Sequence, residues 1–179
     1  MKKIILLFLL FIQNPILAQE EKTTNKGIIN FEASVPLFEE VKATNKTASC
    51  ILNSKTGAIT SMVLIKDFRF KIPMMEKHFN ENYMESASHP KATFKGIIEG
   101  FNWNIINTDP KEFKLKGTLK IHGKSKKIST IAILRKVDGG LEIVSDFEVK
   151  SRDFNIEIPE MLSMKVAETV NIATLFIVK

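Results

Sequence analysis

Between Glu112 and His122 the chain alternates without a break, with Phe113, Leu115, Gly117, Leu119 and Ile121 on one side and Lys114, Lys116, Thr118, Lys120 and His122 on the other. Successive side chains of a strand point to opposite faces, so the pattern predicts a strand with one buried and one wetted face. Looser versions of the same period recur in Ile29–Val35, Lys42–Leu52, Ala58–Lys66, Lys91–Phe101, Lys126–Val137, Leu141–Val149 and Val170–Val178. Ser54-Lys55-Thr56-Gly57, Gly123-Lys124-Ser125 and Asp138-Gly139-Gly140 supply turn chemistry between several of them. Eight strands without a βαβ rhythm predict an antiparallel all-β fold. An open sheet of that size would leave two unpaired edges, which closure removes, so the expectation is an eight-stranded barrel. A β-sandwich competes, and periodicity does not separate the two.

One stretch breaks the rhythm. Pro73 suits the first turn of a helix, and Met75, Phe79 and Tyr83 then recur four residues apart on one face, with Glu76, Lys77, Asn80 and Glu81 opposite. The spacing predicts a helix over 73–86, ended by Ser88-His89-Pro90 and placed as a lid between strands. Phe68 and Phe70 carry the apolar content of the preceding strand up to it. In the strand that follows, Gly96 and Gly100 share a side with Ala92, Phe94 and Ile98, which leaves room for barrel curvature or for the close approach of another group.

The start of the chain is of another kind. Met-Lys-Lys, an apolar run from Ile4 to Ile12, Asn14-Pro15 and Ala18-Gln19 have the order of a secretory signal peptide. The expected organisation is a signal peptide over 1–18, a flexible leader over 19–26 and one barrel domain over 27–179, in a periplasmic or secreted protein. Cys50 is the only cysteine, so no intramolecular disulfide can form and the core must hold the fold. Net charge is +6, two units of which belong to Lys2 and Lys3. The remainder permits attraction to an anionic surface without requiring it.

Candidate chemistry is sparse. His78, His89 and His122 stand in no recognisable metal-ligand pattern, and no nucleophile elbow, Cys/His dyad, phosphate loop or dinucleotide fingerprint occurs. His89 reads as a loop residue and His122 as a solvated one at the end of its lysine face. Asp146 and Glu148 share a strand face opposite Leu141, Ile143 and Phe147, which makes that face the exterior rather than an acid/base pair. Lysines 111, 114, 116, 120, 124, 126 and 127 lack interleaved aromatics and read as a solvated face rather than a nucleic-acid site. Met74, Met75, Met84, Met161 and Met164 collect in the two non-strand segments, where flexible side chains suit either an irregular apolar ligand or a plug for the barrel ends.

Three blocks carry a resemblance: His78-Phe79-Asn80-Glu81-Asn82-Tyr83, Pro90-Lys91-Ala92-Thr93-Phe94-Lys95-Gly96, and Gly117 to Lys127 with Ile121-His122-Gly123 at its centre. In order and spacing they resemble the YceI-like family, departing from it slightly at Lys124-Ser125. The resemblance implies a lipocalin-like barrel that binds long isoprenoids or other lipid amphiphiles. On that footing the candidate ligand contacts are Met75, His78, Phe79 and Tyr83 on the lid, and Phe94, Phe113, Leu115, Leu119, Ile121 and Phe147 inside the barrel. The expected partner is an isoprenoid or fatty-chain lipid, without cofactor, metal or nucleic acid. Transient contact with an anionic membrane surface and a homodimer stay open. So do two other classes of function: a lipid isomerase or cyclase using His78 or Tyr83, and a packed interaction barrel with no ligand.

Overall fold

The alternating stretches do form strands. In the computed structural model, which describes residues 20–179, they run β1 (Glu21–Ser34), β2 (Lys42–Asn53), β3 (Ala58–Leu64), β4 (Arg69–Phe70), β5 (Lys91–Ile98), β6 (Lys111–Ile121), β7 (Lys124–Val137), β8 (Gly140–Lys150) and β9 (Val166–Val178). Pairing is antiparallel in the order β1-β9-β8-β7-β6-β5-β3-β2, and β2 pairs back onto β1. Eight long strands therefore close into a barrel and leave no free edge. The two-residue β4 continues the β3 side of β2, pairing Phe70 with Ala43 and Arg69 with Thr44 after a 3₁₀ turn at Ile65–Asp67.

The clearest alternation in the sequence places the inside as expected. Phe113, Leu115 and Leu119 are each 7% exposed, whereas Lys114, Lys116 and Lys120 are exposed. Asp146 and Glu148 also face solvent.

Several boundaries move. β1 begins at Glu21, within the segment expected as a flexible leader: Glu21, Lys22, Thr23 and Thr24 pair with Asn53 to Cys50, and Thr23 exchanges two backbone hydrogen bonds of 3.1 Å with Lys179. Strand pairing needs only free backbone groups, so polar side chains do not prevent it. The expected signal peptide lies outside the described residues. β9 starts at Val166, four residues before the expected Val170, and β7 starts at Lys124. The β6–β7 turn is consequently the two-residue His122-Gly123, with φ of 47° and 74°, as a tight hairpin requires.

The two ends of the barrel differ. At one end lie the β2–β3 turn, the β7–β8 turn and the β5–β6 connection, which inserts Ile106 (1% exposed) and packs Phe101 and Trp103 against the core. Leu52, Ile98, Leu134, Leu141 and Val178 fill that end at 0–1% exposure. At the other end lie the longer connections 35–41, 65–90 and 151–165. Helix α1 (Pro73–His78) stands there and runs directly into a π turn at Phe79–Tyr83. The expected helix over 73–86 is thus a six-residue α-helix with one widened turn.

Candidate functional site

The mouth half of the barrel is hollow. A cavity of about 600 Å³ runs from the lid down to the layer of Ile59, Ile143 and Phe176, a size inside the range of roughly 300–1,000 Å³ usual for ligand sites. Its wall is built from inward positions of successive strands. β6 contributes Leu115, Leu119 and Ile121, β8 contributes Ile143, Ser145, Phe147 and Val149, and β9 contributes Val170, Ile172, Thr174 and Phe176. Three of the seven hydroxyls of the wall donate to backbone carbonyls. Ser145 Oγ donates to the Ile131 carbonyl at 2.7 Å, Thr130 Oγ1 to that of Asp146 at 3.1 Å and Thr174 Oγ1 to that of Ser145 at 3.1 Å. Most of the wall is aliphatic or aromatic, so it presents mainly hydrocarbon to whatever enters.

Paired glycines shape one side of this wall. Gly96 and Gly117 face each other across β5 and β6, and the outer end of the Phe94 ring reaches the Cβ position of both. A Cβ on Gly117 would stand 2.4 Å from that ring and 2.5 Å from the Lys95 carbonyl oxygen. The close approach that the glycines permit is therefore by Phe94, on the same strand as Gly96 and across the pairing from Gly117. Gly27 serves Phe176 in the same way, its Cβ position being 2.3 Å from the ring.

The lid is anchored by aromatic contacts. Phe79 stacks on Phe31 of β1 at 5.2 Å between centroids and meets Phe70 at 5.1 Å and Phe68 at 5.8 Å. All four rings line the cavity. Glu76 Oε2 accepts the Phe70 backbone N–H at 3.1 Å, and Asn80 Nδ2 donates to the Glu76 carbonyl at 2.9 Å. Glu76 and Asn80, expected on the wetted face, thus brace the helix. Charge gathers only at the rim, where Glu39 and Lys165 are exposed and His78 is exposed on the lid. Beside the rim, Lys42 lies 3.0 Å from Glu40 and 3.2 Å from Glu32, and its hydrogen bond to Glu40 holds that carboxyl below its ordinary value. Cys50 takes no part: it is 1% exposed outside the cavity lining, and burial pushes its thiol up to about 12.

Of the ten residues singled out in the sequence, Met75, His78, Phe79, Tyr83, Phe94, Leu115, Leu119, Ile121 and Phe147 border the cavity. Phe113 does not. It points inward but lies two residues nearer the closed end than Leu115, in the packed cluster with Ile98, Ile106 and Leu134. Strand alternation fixes the face a residue occupies and says nothing of its depth, hence the error. Other wall residues were overlooked. Phe31, Phe68, Phe70 and Phe176 line the cavity as well, and their alternation signals a strand without marking a cavity wall. Ile156, Ile158 and Leu162 close the rim from a segment whose Ile-Glu-Ile alternation went unused. One histidine reading also changes. His122 is only 11% exposed at its side chain rather than solvated, and it contacts His89 and Glu85.

The family follows from a match to a family model. The YceI-like domain matches residues 22–176, nearly the whole described chain. The chain belongs to the YceI-like family. No curated protein matches it in sequence. Among solved structures, this YceI-like barrel is similar to a polyisoprenoid binding domain from Saccharophagus degradans implicated in plant cell wall breakdown. Identity there is 13%, coverage 89% of this chain and 98% of the other, and the TM-score 0.77. BcnA of Burkholderia cenocepacia is 16% identical with 84% and 94% covered and a TM-score of 0.69. The Campylobacter jejuni YCEI protein is 19% identical with 79% and 86% covered and a TM-score of 0.61. At these identities the likeness establishes the barrel.

Proposed function

We propose that this YceI-like protein is an exported, non-catalytic carrier that encloses the apolar tail of an isoprenoid or other long-chain lipid amphiphile. The observation that carries the reading is the cavity of about 600 Å³, walled by aliphatic and aromatic side chains and charged only at its rim. Burial of hydrocarbon is worth about 0.8 kcal/mol per CH₂, so a long tail gains enough to bind without any specific polar contact. The head group then rests among His78, Glu39 and Lys165. Family membership supports lipid as the ligand class, as does the fold shared with a domain described as polyisoprenoid-binding. Export rests on the signal-like start of the sequence.

The reading of a fully packed barrel lacks support, because the space exists. Catalysis inside the barrel would need an acid or base reaching the chain. The titratable groups bordering the cavity are Glu39, Lys165, His78 and Tyr83, all contributed by the connections at the mouth rather than by the barrel strands. Native mass spectrometry of protein purified without organic solvent tests the proposal. A retained mass of a few hundred daltons, extractable as a lipid, is the expected result, and a population entirely at the bare chain mass after exposure to bacterial lipid extract would refute it.

A further inference from the structure

Behind the lid, outside the cavity lining, three side chains with metal-ligand chemistry converge: Glu85, His89 and His122, whose ligating atoms all lie within 4.8 Å of one another. Glu85 and His89 leave the π turn of the lid four residues apart. His122 comes from the β6–β7 turn, 37 residues beyond Glu85. Two of the three, Glu85 with φ 43° and His122 with φ 47°, hold the left-handed backbone that non-glycine residues rarely adopt.

The hydrogen bonding of His122 orients the site. Its Nδ1 is 3.2 Å from the Phe154 carbonyl oxygen, which can only accept, so Nδ1 carries the hydrogen. Its Nε2 then points at Glu85 Oε2, 2.9 Å away. In the neutral ring that nitrogen is a lone pair facing a carboxylate, an arrangement that calls for a cation between or upon the two. His89 Nε2 approaches the same oxygen at 4.0 Å, and the two imidazoles meet edge to face at 4.4 Å between centroids. One proton can bridge only one of the histidines to Glu85, and protons on both would set two cations side by side. A single divalent ion satisfies all three.

We infer that Glu85, His89 and His122 form a binding site for a divalent transition-metal ion of the zinc class. Two imidazoles and one carboxylate are the ligand types such ions prefer, and three protein ligands leave a coordination position open to water. Ligand atoms around a tetrahedral zinc ion, bonded at about 2.0–2.2 Å, stand about 3.4 Å apart. The separations of 2.9 Å and 4.0 Å bracket that value, so small rotations of exposed Glu85 and half-buried His89 complete the geometry. The Phe154 carbonyl bond to Nδ1 is the outer contact that commonly fixes a metal-binding imidazole. The ion would tie the exit of the lid to the β6–β7 turn and, through Phe154, to the 151–154 turn. Both Phe154 and Met84, the residue before Glu85, border the cavity.

The experiment is a titration of chelator-treated protein with zinc chloride, followed by calorimetry and thermal melts, with cobalt(II) as a spectroscopic substitute. The expected result is one ion per chain, a higher melting midpoint with zinc, and the visible bands of four-coordinate cobalt. Glu85→Gln and His89→Ala, both on accessible side chains, are each expected to weaken binding at least tenfold and remove the zinc-dependent rise in melting. His78→Ala, which changes the remaining histidine, should leave binding unaltered. Absence of saturable one-ion uptake by the unaltered protein overturns the proposal, and so does uptake that survives both substitutions.

Discussion

The two halves of the barrel use the same strands and the same alternation to opposite ends. Toward the β5–β6 connection the inward positions are Leu52, Ile98, Leu134, Leu141 and Val178, supplemented by Ile106 from the connection itself, and they leave no room. Toward the lid the inward positions are Ile121, Ser145, Phe147, Ile172 and Thr174, and the connections there add Phe68, Phe79 and Phe154 to the wall while leaving the space between them open. A period-two pattern makes a barrel with an inside. Whether that inside is core or cavity is decided by what the connections do. Here one connection is a plug, and the lid, held at its edge by Phe79 against three other aromatic rings, is a cover.

If the closed end is the structural core, its substitutions should cost the most stability and leave ligand retention intact. Leu134→Ala removes a side chain with no exposed surface and should lower unfolding free energy by about 3–5 kcal/mol in urea titrations. The folded fraction should retain lipid normally. Gly117→Ala attacks the shared wall, where the new Cβ meets both the Phe94 ring and the Lys95 carbonyl. The strain should cost about 1–3 kcal/mol, and the displaced ring should reduce lipid retention as well. A neutral result in either assay would show that Phe94 is not fixed by the glycines.

Phe79→Ala probes the cover. Because Phe79 is only half-buried, its loss should cost about 2 kcal/mol in thermal or urea unfolding of lipid-free protein, below the roughly 3–5 kcal/mol of a fully buried Phe. Lipid retention should fall further than stability. A sharp drop in melting with affinity unchanged would make the lid a plug like the other end and erase the distinction. The smallest effect is expected outside both regions: Lys120→Asp, on the exposed face of β6, should change stability by no more than about 0.5 kcal/mol and leave retention alone.

Closure into a barrel rather than a sandwich was carried by the family resemblance and not by periodicity, whereas the strands and their inward faces were legible in the sequence because alternation is a local property. Leu115, Leu119 and Ile121 could be assigned to the inside for the same reason. Depth was not legible: Phe113 and Leu115 are equivalent in pattern, yet only Leu115 borders the cavity. The start of β1 was missed because Glu21 to Thr24 pair through backbone groups that polar side chains do not announce. Nor could the meeting of Glu85, His89 and His122 be read, since it depends on a hairpin turn landing beside the exit of the lid. Its one sequence signal is the four-residue spacing of Glu85 and His89, which any exposed helix end can show by chance.

The most direct measurement is methyl NMR of delipidated protein titrated with a long-chain lipid amphiphile. Shifts should concentrate on Leu115, Leu119, Ile121 and Ile172 in the cavity wall and on Met75 of the lid, while Leu52, Ile98, Leu134 and Val178 stay in place. Shifts confined to the outward isoleucines Ile51, Ile97 and Ile131, or no saturable change in the cavity wall at all, would contradict a barrel with one end built to hold a lipid chain.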